Sequence, residues 1–251
     1  MILDFVFEFK PILDEIEPRF EVRFRAGCSV RRLERPTPPI TVIDRIQQKR
    51  IVPVVVLDDT GAAEPLAEAL LAGGLDIIEI TFRTPAAEES IRKIASSFPE
   101  MLLGAGTLLE EEQVSRAAEA GASFGLAPGL NPVIVGKAAS CGLHFSPGVM
   151  TPGEVEQALS LGCKLLKFFP AEAAGGPAMI KALAGPYGHT GAKLIPTGGI
   201  TVENLAGYLK LPIVAAVGGS WMVERSLIRE GRWSEITRLT REALAIAGAA
   251  V

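Results

Sequence analysis

Eight short apolar runs alternate with amphipathic segments along most of this chain, and this alternation limits its possible folds more than any other feature. The runs are rich in β-branched residues and are typical of buried strands, whereas the segments between them have the apolar spacing of helices. The runs occupy residues 51–57, 75–81, 101–107, 123–128, 143–148, 163–169, 192–198 and 213–219. The pattern predicts an α/β fold, namely a single (β/α)8 (TIM) barrel.

A doubly wound parallel sheet is the competing arrangement, because it also alternates strands with helices. The number of units favours the barrel, and the Gly104–Gly106 pattern lacks the third glycine of a dinucleotide fingerprint. A chain of 251 residues could form two domains, yet single α/β barrels often reach about 250 residues. We therefore predict one barrel domain over residues 41–251, with its active site at the carboxyl ends of the strands.

Two Thr–Pro pairs, Thr84–Pro85 and Thr151–Pro152, carry the signal of a helix start. Threonine is a good N-cap, and proline suits the first helical position, where no backbone N–H is needed. We expect a helix to begin at each pair.

Residues 1–40 differ in composition from the rest of the chain. They hold five of the eleven phenylalanines and end in a proline-rich run. The first twenty residues carry acids among apolar residues and lack a basic region, which is not the pattern of a signal peptide. We interpret residues 1–40 as an N-terminal extension of uncertain order without a catalytic role.

The charge and the reactive side chains exclude several classes of protein. A formal net charge of −4 with scattered basic residues argues against nucleic-acid and membrane-surface binding, and no apolar run approaches the roughly 20 residues of a membrane span. The three cysteines and two histidines are widely spaced and form neither a disulfide framework nor a metal motif. They are Cys28, Cys141, Cys163, His144 and His189. We expect no metal, no cofactor and a reducing cytoplasm.

The second run places a carboxylate and a guanidinium on the same face. Alternate residues of a strand share a face, so Glu79 and Arg83 are expected to point into the barrel together. Inward charges are costly unless they are paired or used. The two residues are interpreted either as a structural ion pair or as an acid/base beside an anion clamp.

The sixth run contains an inward lysine. Lys167 shares its face with Leu165 and Phe169, whereas Lys164 has the opposite parity and is expected at the periphery. Desolvation disfavours the ammonium form, and a neutral lysine can attack carbonyl carbons. The alternative, a lysine whose amino group reaches the barrel rim while its stem packs on Phe169, is equally compatible with the pattern.

Small residues at the ends of three other runs suggest ligand contacts. Thr107 could hold a carboxylate or cap a helix. The paired glycines Gly198–Gly199 and Gly218–Gly219, the latter followed by Ser220, expose backbone N–H groups after the last two strands. This is the recurrent phosphate site of such barrels, although two tight turns would have the same sequence.

These residues together resemble the class I 2-keto-3-deoxy-6-phosphogluconate (KDPG) and 4-hydroxy-2-oxoglutarate (KHG) aldolases. The resemblance covers about residues 41–247, and residues 1–39 have no counterpart in it. It is carried by Glu79–Thr84, Gly104–Thr107, Pro128–Leu130, Lys167–Glu172, Pro196–Ile200 and Gly218–Trp221.

The resemblance implies a role for each site residue. Lys167 would form a Schiff base with the substrate ketone or pyruvate, and Glu79 would be the general acid/base. Substrate would be bound by Arg83 and Thr107 at the carboxylate, by Pro128 and Phe169 as pocket walls, by Thr197 near the C4 hydroxyl, and by Gly198, Gly199, Gly219 and Ser220 at the phosphate. The resemblance further implies a metal-free enzyme, pyruvate and a phosphosugar acid as ligands, and a homotrimer.

Three alternative functions stay open at this stage. The first is an aldolase for the C4 epimer, 2-dehydro-3-deoxy-6-phosphogalactonate. The second is a non-catalytic phosphosugar-binding barrel, although a sensor would not need both Glu79 and Lys167. The third is a phosphate-binding barrel isomerase, which would use an acid/base pair without a lysine nucleophile.

Overall fold

The computed structural model describes residues 40–250, and the predicted extension therefore lies almost wholly outside the described residues. Each of the eight apolar runs contains a strand, and the fifth run holds β5 together with the first residue of β6. The strands are β1 Ile51–Val55, β2 Ile77–Thr81, β3 Leu102–Gly106, β4 Phe124–Leu126, β5 His144–Ser146, β6 Gly148–Val149, β7 Leu165–Phe168, β8 Lys193–Pro196 and β9 Val217–Gly219. The α/β class predicted from the sequence is confirmed.

Helices lie before β1, between successive strands except β5 and β6, and after β9. They are α1 Val42–Lys49, α2 Ala63–Ala72, α3 Ala87–Ser97, α4 Glu111–Glu119, α5 Pro132–Ser140, α6 Pro152–Ser160, α7 Gly176–Tyr187, α8 Leu205–Leu209, α9 Arg225–Arg229 and α10 Trp233–Ala249. In the described part of the chain, no helix is long and apolar enough to cross a membrane.

One of the two predicted helix starts is correct. Helix α6 begins at Pro152 with Thr151 as its N-cap, and Thr151 and Glu154 form a capping box. The start predicted at Thr84–Pro85 is wrong, because α3 begins at Ala87. The Thr84 hydroxyl instead donates to the carbonyl of Leu57, so this side chain joins two loops rather than capping a helix.

Every pairing between the strands is parallel. One ladder has the order β5-β4-β3-β2-β1-β9 and the other has the order β6-β7-β8. Pro147 separates β5 from β6 and has no N–H to give to a ladder, although its carbonyl accepts from the N–H of Lys167 at 2.9 Å. Two isolated parallel bridges, Leu194–Val214 and Thr197–Gly218, connect β8 with the segment that contains β9.

The strands are buried on both faces, as parallel strands covered by helices usually are. All five residues of β1, of β2 and of β3 are buried. Among residues 40–250, Glu79 and Lys167 are the charged residues in the buried set. The other buried polar residues are neutral serines and threonines. The two buried charges therefore mark the candidate site for chemistry.

Candidate active site

Lys167 on β7 and Glu79 on β2 meet in the interior of the protein. The two strands belong to different ladders, yet Lys167 Nζ lies 3.2 Å from Glu79 Oε1. The residues are 5% and 1% exposed, respectively. A buried ion is costly by several kcal/mol unless it is paired, and each of these groups offsets that cost for the other. The inward orientation predicted for both residues is confirmed, and the rim position considered for Lys167 is wrong.

The second carboxylate oxygen of Glu79 has no partner. Oε2 is buried and forms no hydrogen bond with any residue between 40 and 250. Buried polar atoms are nearly always hydrogen-bonded, and an exception calls for an explanation. An oxygen left free beside a lysine is available to accept a proton from a ligand.

Gly106 makes room for the Glu79 carboxylate. It lies on β3 in register with Thr81 of β2, and a methyl group at its Cα would overlap Glu79 Oε1. Gly104 has the same role toward the ring of Phe124, which a methyl group there would also overlap. The two glycines thus serve the packing of neighbouring side chains and form no dinucleotide turn. Gly106 was not predicted from the sequence to be a site residue.

Phe169 follows β7 directly and stands beside the lysine. Its half-buried ring has its centroid 6.0 Å from Lys167 Nζ, within the range of a cation–π contact. An aromatic face at this place excludes water from one side of the amino group. The Phe169 ring also lies next to Gly198, so it connects the lysine strand with the turn after β8.

Thr197 and the two glycine pairs lie where the last two strands end. Thr197 is 7% exposed, and a methyl group at Gly218 would overlap its hydroxyl oxygen. Gly198 and Gly199 have φ values of 101° and 78°, which side chains other than glycine rarely adopt. Gly218 in the last strand thus leaves room for the Thr197 hydroxyl, and the positive φ values of the turn after β8 require glycine at positions 198 and 199.

The second pair also accommodates a large neighbour. A methyl group at Gly219 would overlap the ring of Trp221, while Ser220 between them is exposed. The predicted phosphate residues therefore form two small-residue segments at the ends of strands that a parallel bridge connects.

Arg83 and Thr107 follow the carboxyl ends of neighbouring parallel strands. Arg83 lies in the turn beyond β2 and is exposed, while Thr107 is half-buried. The structural Glu79–Arg83 pair considered from the sequence is wrong, because Glu79 pairs with Lys167. Thr107 does not cap a helix either, since Glu110 is the N-cap of α4.

Pro128 lies beyond the end of β4, the next strand along the same edge. It lines an apolar cavity of about 240 Å³ together with Leu108, Leu109 and Leu130. Arg83, Thr107 and Pro128 thus share one edge of the sheet, and among residues 40–250 the side chains of Lys167 and Glu79 are hydrogen-bonded to each other rather than to any of these three.

The remaining titratable residues named from the sequence lie away from the pair. Lys164 is exposed, and its Nζ donates to the carbonyl of Thr190 at 3.1 Å. Burial lowers the pKa of His144 and raises the pKa of the Cys163 thiol. Among residues 40–250, no group of three or more His, Cys, Asp and Glu side chains could hold a metal ion.

A parallel α/β fold with a buried lysine beside a carboxylate defines a class of protein equipped for imine chemistry. A neutral amino group can attack a carbonyl carbon, and the neighbouring carboxylate can accept and return the protons that the attack releases. Lys167 Nζ and Glu79 Oε1 are close enough for proton transfer between them, and the burial of both residues largely excludes water.

Comparison with known proteins agrees with this class. Residues 42–239 match the family model described as KDPG and KHG aldolase. A 2-dehydro-3-deoxy-phosphogluconate aldolase of Haemophilus influenzae is 45% identical over 205 residues, which cover 82% of this chain and 96% of that protein. A KHG/KDPG aldolase of Escherichia coli K12 is 41% identical over 77% of this chain and 90% of its own length.

A solved structure gives the same result. The KDPG aldolase of Legionella pneumophila, captured with pyruvate as a covalent carbinolamine intermediate, has a TM-score of 0.76 and 39% sequence identity. The similarity covers 79% of this chain and 96% of that one. The chain belongs to the KDPG and KHG aldolase family.

Proposed function

We propose that this protein is a class I aldolase that cleaves KDPG to pyruvate and glyceraldehyde 3-phosphate through a Schiff base on Lys167. The same site would cleave KHG to pyruvate and glyoxylate, since both substrates are 4-hydroxy-2-oxo acids. The buried Lys167–Glu79 pair, with 3.2 Å between Nζ and Oε1, carries this proposal.

The first half of the reaction forms the imine. Glu79 accepts a proton from Lys167, and the neutral amine attacks the C2 ketone of the substrate. The resulting carbinolamine loses water, for which Glu79 returns a proton to the departing hydroxyl. The carboxylate at 3.2 Å reaches each of these protons without a large movement.

The second half breaks the carbon–carbon bond. The protonated imine withdraws the electron pair of the C3–C4 bond while Glu79 removes the proton of the C4 hydroxyl. C4 leaves as the aldehyde, and C3 becomes the terminal carbon of an enamine. Protonation of C3 and hydrolysis of the imine then release pyruvate and restore the free lysine.

Substrate groups are assigned to residues around the pair. Arg83 and Thr107 bind the carboxylate of the pyruvate half, because a guanidinium fork matches a carboxylate and both residues follow neighbouring strands. Phe169 and Pro128 form the walls. Thr197 contacts the C4 hydroxyl, which its burial beside the glycine turn supports.

The phosphate binds at the ends of β8 and β9. Gly198, Gly199, Gly219 and Ser220 offer backbone N–H groups and a hydroxyl without bulky side chains that would keep an anion away. The bridge between Thr197 and Gly218 keeps the two segments adjacent.

We also propose that the two ladders close into the (β/α)8 barrel. Pro147 alone separates β5 from β6, and the bridges Leu194–Val214 and Thr197–Gly218 link β8 to the β9 segment. The contact between Lys167 and Glu79 supports closure, because side chains from non-adjacent strands meet inside a barrel.

A homotrimer is the proposed assembly. Leu109 and Val133, which follow the adjacent strands β3 and β4, are 56% and 58% exposed. Exposed large apolar side chains beside an apolar cavity are typical of a surface that another chain covers. Sedimentation equilibrium should give three times the mass of the chain, whereas a monomer would contradict the proposal.

A reducing cytoplasm is the proposed location. Its support is the cysteine set, since Cys141 and Cys163 are both free thiols.

A comparison of substrates tests the proposed activity. Pyruvate release is measured with KDPG, with its C4 epimer phosphogalactonate and with KHG as substrates. The proposal predicts the highest kcat/KM for KDPG and measurable cleavage of KHG. Preference for the epimer would replace the proposal with a phosphogalactonate aldolase, and binding of KDPG without any pyruvate release would indicate a sensor.

A further inference from the structure

Glu172 and Tyr208 form a hydrogen bond that the proposed reaction does not use. Glu172 lies in the loop after β7, and its Oε1 accepts from the hydroxyl of Tyr208 on α8. Tyr208 is fully buried, whereas Glu172 is exposed. The bond therefore ties a surface loop to a side chain that the core holds in place.

The loop that contains Glu172 is also hydrogen-bonded to the turn after β8. The N–H of Glu172 donates to the carbonyl of Gly198 at 3.0 Å, and the N–H of Ala171 donates to the carbonyl of Thr197 at 2.8 Å. These bonds run between the segment that follows the lysine strand and the segment proposed to bind phosphate.

The side chain of Glu172 packs directly on that turn. Gly199, at φ 78°, lies so close that a Cβ atom there would be 2.7 Å from both Cβ and Cγ of Glu172. The turn can approach this closely only without a side chain, and its position depends on where the Glu172 side chain is held. Tyr208 holds it.

Tyr208 keeps its proton over the working range of an enzyme. Burial, followed by the hydrogen bond to Glu172, raises the pKa of the Tyr208 hydroxyl well above its usual value. The hydroxyl is therefore a constant donor to the Glu172 carboxylate.

We propose that Glu172 and Tyr208 are a positioning pair that holds the Gly198–Gly199 turn in its phosphate-binding conformation and thereby favours phosphorylated over unphosphorylated substrate. This inference rests on the proposed function. Neither residue contacts the reacting atoms at Lys167, so the pair acts through the turn. KHG has no phosphate and does not depend on the turn.

Tyr208→Phe tests the pair because it removes only the hydroxyl. Steady-state kinetics with KDPG should show KM raised about five- to tenfold, which corresponds to the net free energy of one ordinary hydrogen bond, with kcat changed less than about twofold. KM for KHG should stay at the wild-type value. Glu172→Gln keeps an acceptor and should restore most of the KDPG affinity that Glu172→Ala loses.

Tyr187→Phe is the matched control. The Tyr187 hydroxyl donates at 3.0 Å to Oε1 of the exposed Glu156, so this variant also removes a bond between a buried tyrosine and an exposed glutamate. Its contacts with α6 lie apart from the turn after β8. The ratio of KM values for the two substrates should be unchanged in this variant.

A binding measurement keeps the test independent of catalysis. Inorganic phosphate should raise the melting temperature of wild type and of Tyr187→Phe, and it should raise that of Tyr208→Phe less at the same concentration. Glu172→Ala replaces Tyr208→Phe in this measurement if the latter does not fold.

Different results overturn the inference and the proposed function. If wild type cleaves both substrates and Tyr208→Phe changes both KM values alike, with an unaltered response to phosphate, then the positioning role is wrong and the aldolase proposal stands. If wild type cleaves neither substrate, the aldolase proposal is wrong and the inference fails with it.

Discussion

Burial of a lysine and a glutamate side by side in a protein interior has a large desolvation cost. Removing both charges from such a place often leaves stability unchanged or improves it, so stability alone does not account for Lys167 and Glu79. The free Oε2 of Glu79 adds to that cost. The pair is explained by what it does, since the reaction needs a nucleophile and a proton carrier within one hydrogen bond of each other.

Glu79→Gln should lower kcat for KDPG about 10²- to 10⁴-fold, because the amide has nearly the same size but cannot carry the protons. Pyruvate release measured at saturating substrate checks this. Glu156→Gln, at an exposed glutamate on α6, is the control and should keep wild-type kcat. Wild-type kcat in Glu79→Gln would exclude Glu79 as the acid/base.

Gly106→Ala should lower kcat by displacing the Glu79 carboxylate, since the added methyl group occupies the place of Oε1. The control is Gly136→Ala on α5, where nothing lies within 4 Å of the new methyl group. That variant should keep kcat and gain about 0.5–1 kcal/mol in stability, because alanine is the better helix former. Equal kcat values in the two variants would contradict the role of Gly106.

The alternation of side chains along a strand predicted the orientation of a site residue correctly only where that residue lies inside the strand. Lys167 and Glu79 lie inside β7 and β2, and both point inward as expected. Arg83 lies two residues beyond Thr81, the last residue of β2, where the backbone turns and the alternation no longer applies. The need for glycine at position 106 arises from a neighbour on another strand, which a single sequence does not reveal.

At the scale of elements, apolar runs predicted strands more reliably than local signals predicted helix starts. A strand of a parallel sheet is buried on both faces and must therefore be almost wholly apolar, which can be recognised in the sequence. A cap depends on what else the side chain can bind. Thr151 caps α6, but Thr84 has the carbonyl of Leu57 as a partner, and α3 begins later.

Thr151→Ala should cost about 1 kcal/mol of stability, because it removes the side-chain acceptor at the start of α6. Chemical denaturation at pH 7 measures the loss. Ser115→Ala, in the interior of α4, is the control and should cost much less, since its hydroxyl caps no helix. A Thr151→Ala protein as stable as wild type would contradict the capping role.

The same capping box predicts a pH dependence. Burial raises the pKa of Glu154, but hydrogen bonds from the N–H groups of Met150 and Thr151 outweigh it and hold the pKa below the ordinary value of 4.5. A carboxyl with a lowered native pKa stabilises the fold above its unfolded pKa, and this contribution is lost as pH falls through the native value. The stability difference between wild type and Glu154→Gln should therefore shrink as pH falls below 4.5, and a constant difference would contradict this.

At the scale of the whole molecule, the pattern of apolar runs predicted the order of strands and helices, whereas the placement of Glu79 beside Lys167 followed only from the resemblance to the aldolase family. The two residues are 88 positions apart, on strands of different ladders. The alternation along each strand predicted which face of the sheet each side chain lies on. The arrangement of the strands in the folded protein brings the two side chains together. Residues 1–39 lie outside the described part of the chain, and their interpretation as an extension stays a prediction.

Removal of residues 1–39 should leave kcat and KM for KDPG within about twofold of the full chain. The family match covers residues 42–239 and therefore does not include that segment. Kinetics and sedimentation of the shortened and full-length proteins check this. A loss of activity in a folded, shortened protein would give the segment a role at the active site.

Trapping of the imine shows whether Lys167 is the Schiff-base lysine. Wild type, Lys167→Ala and Lys164→Ala are incubated with pyruvate, reduced with borohydride, digested and analysed by mass spectrometry. We expect a stable pyruvate adduct on Lys167 in wild type and in Lys164→Ala, and none in Lys167→Ala. An adduct on another lysine, or no adduct in folded wild type, would contradict Schiff-base chemistry at Lys167.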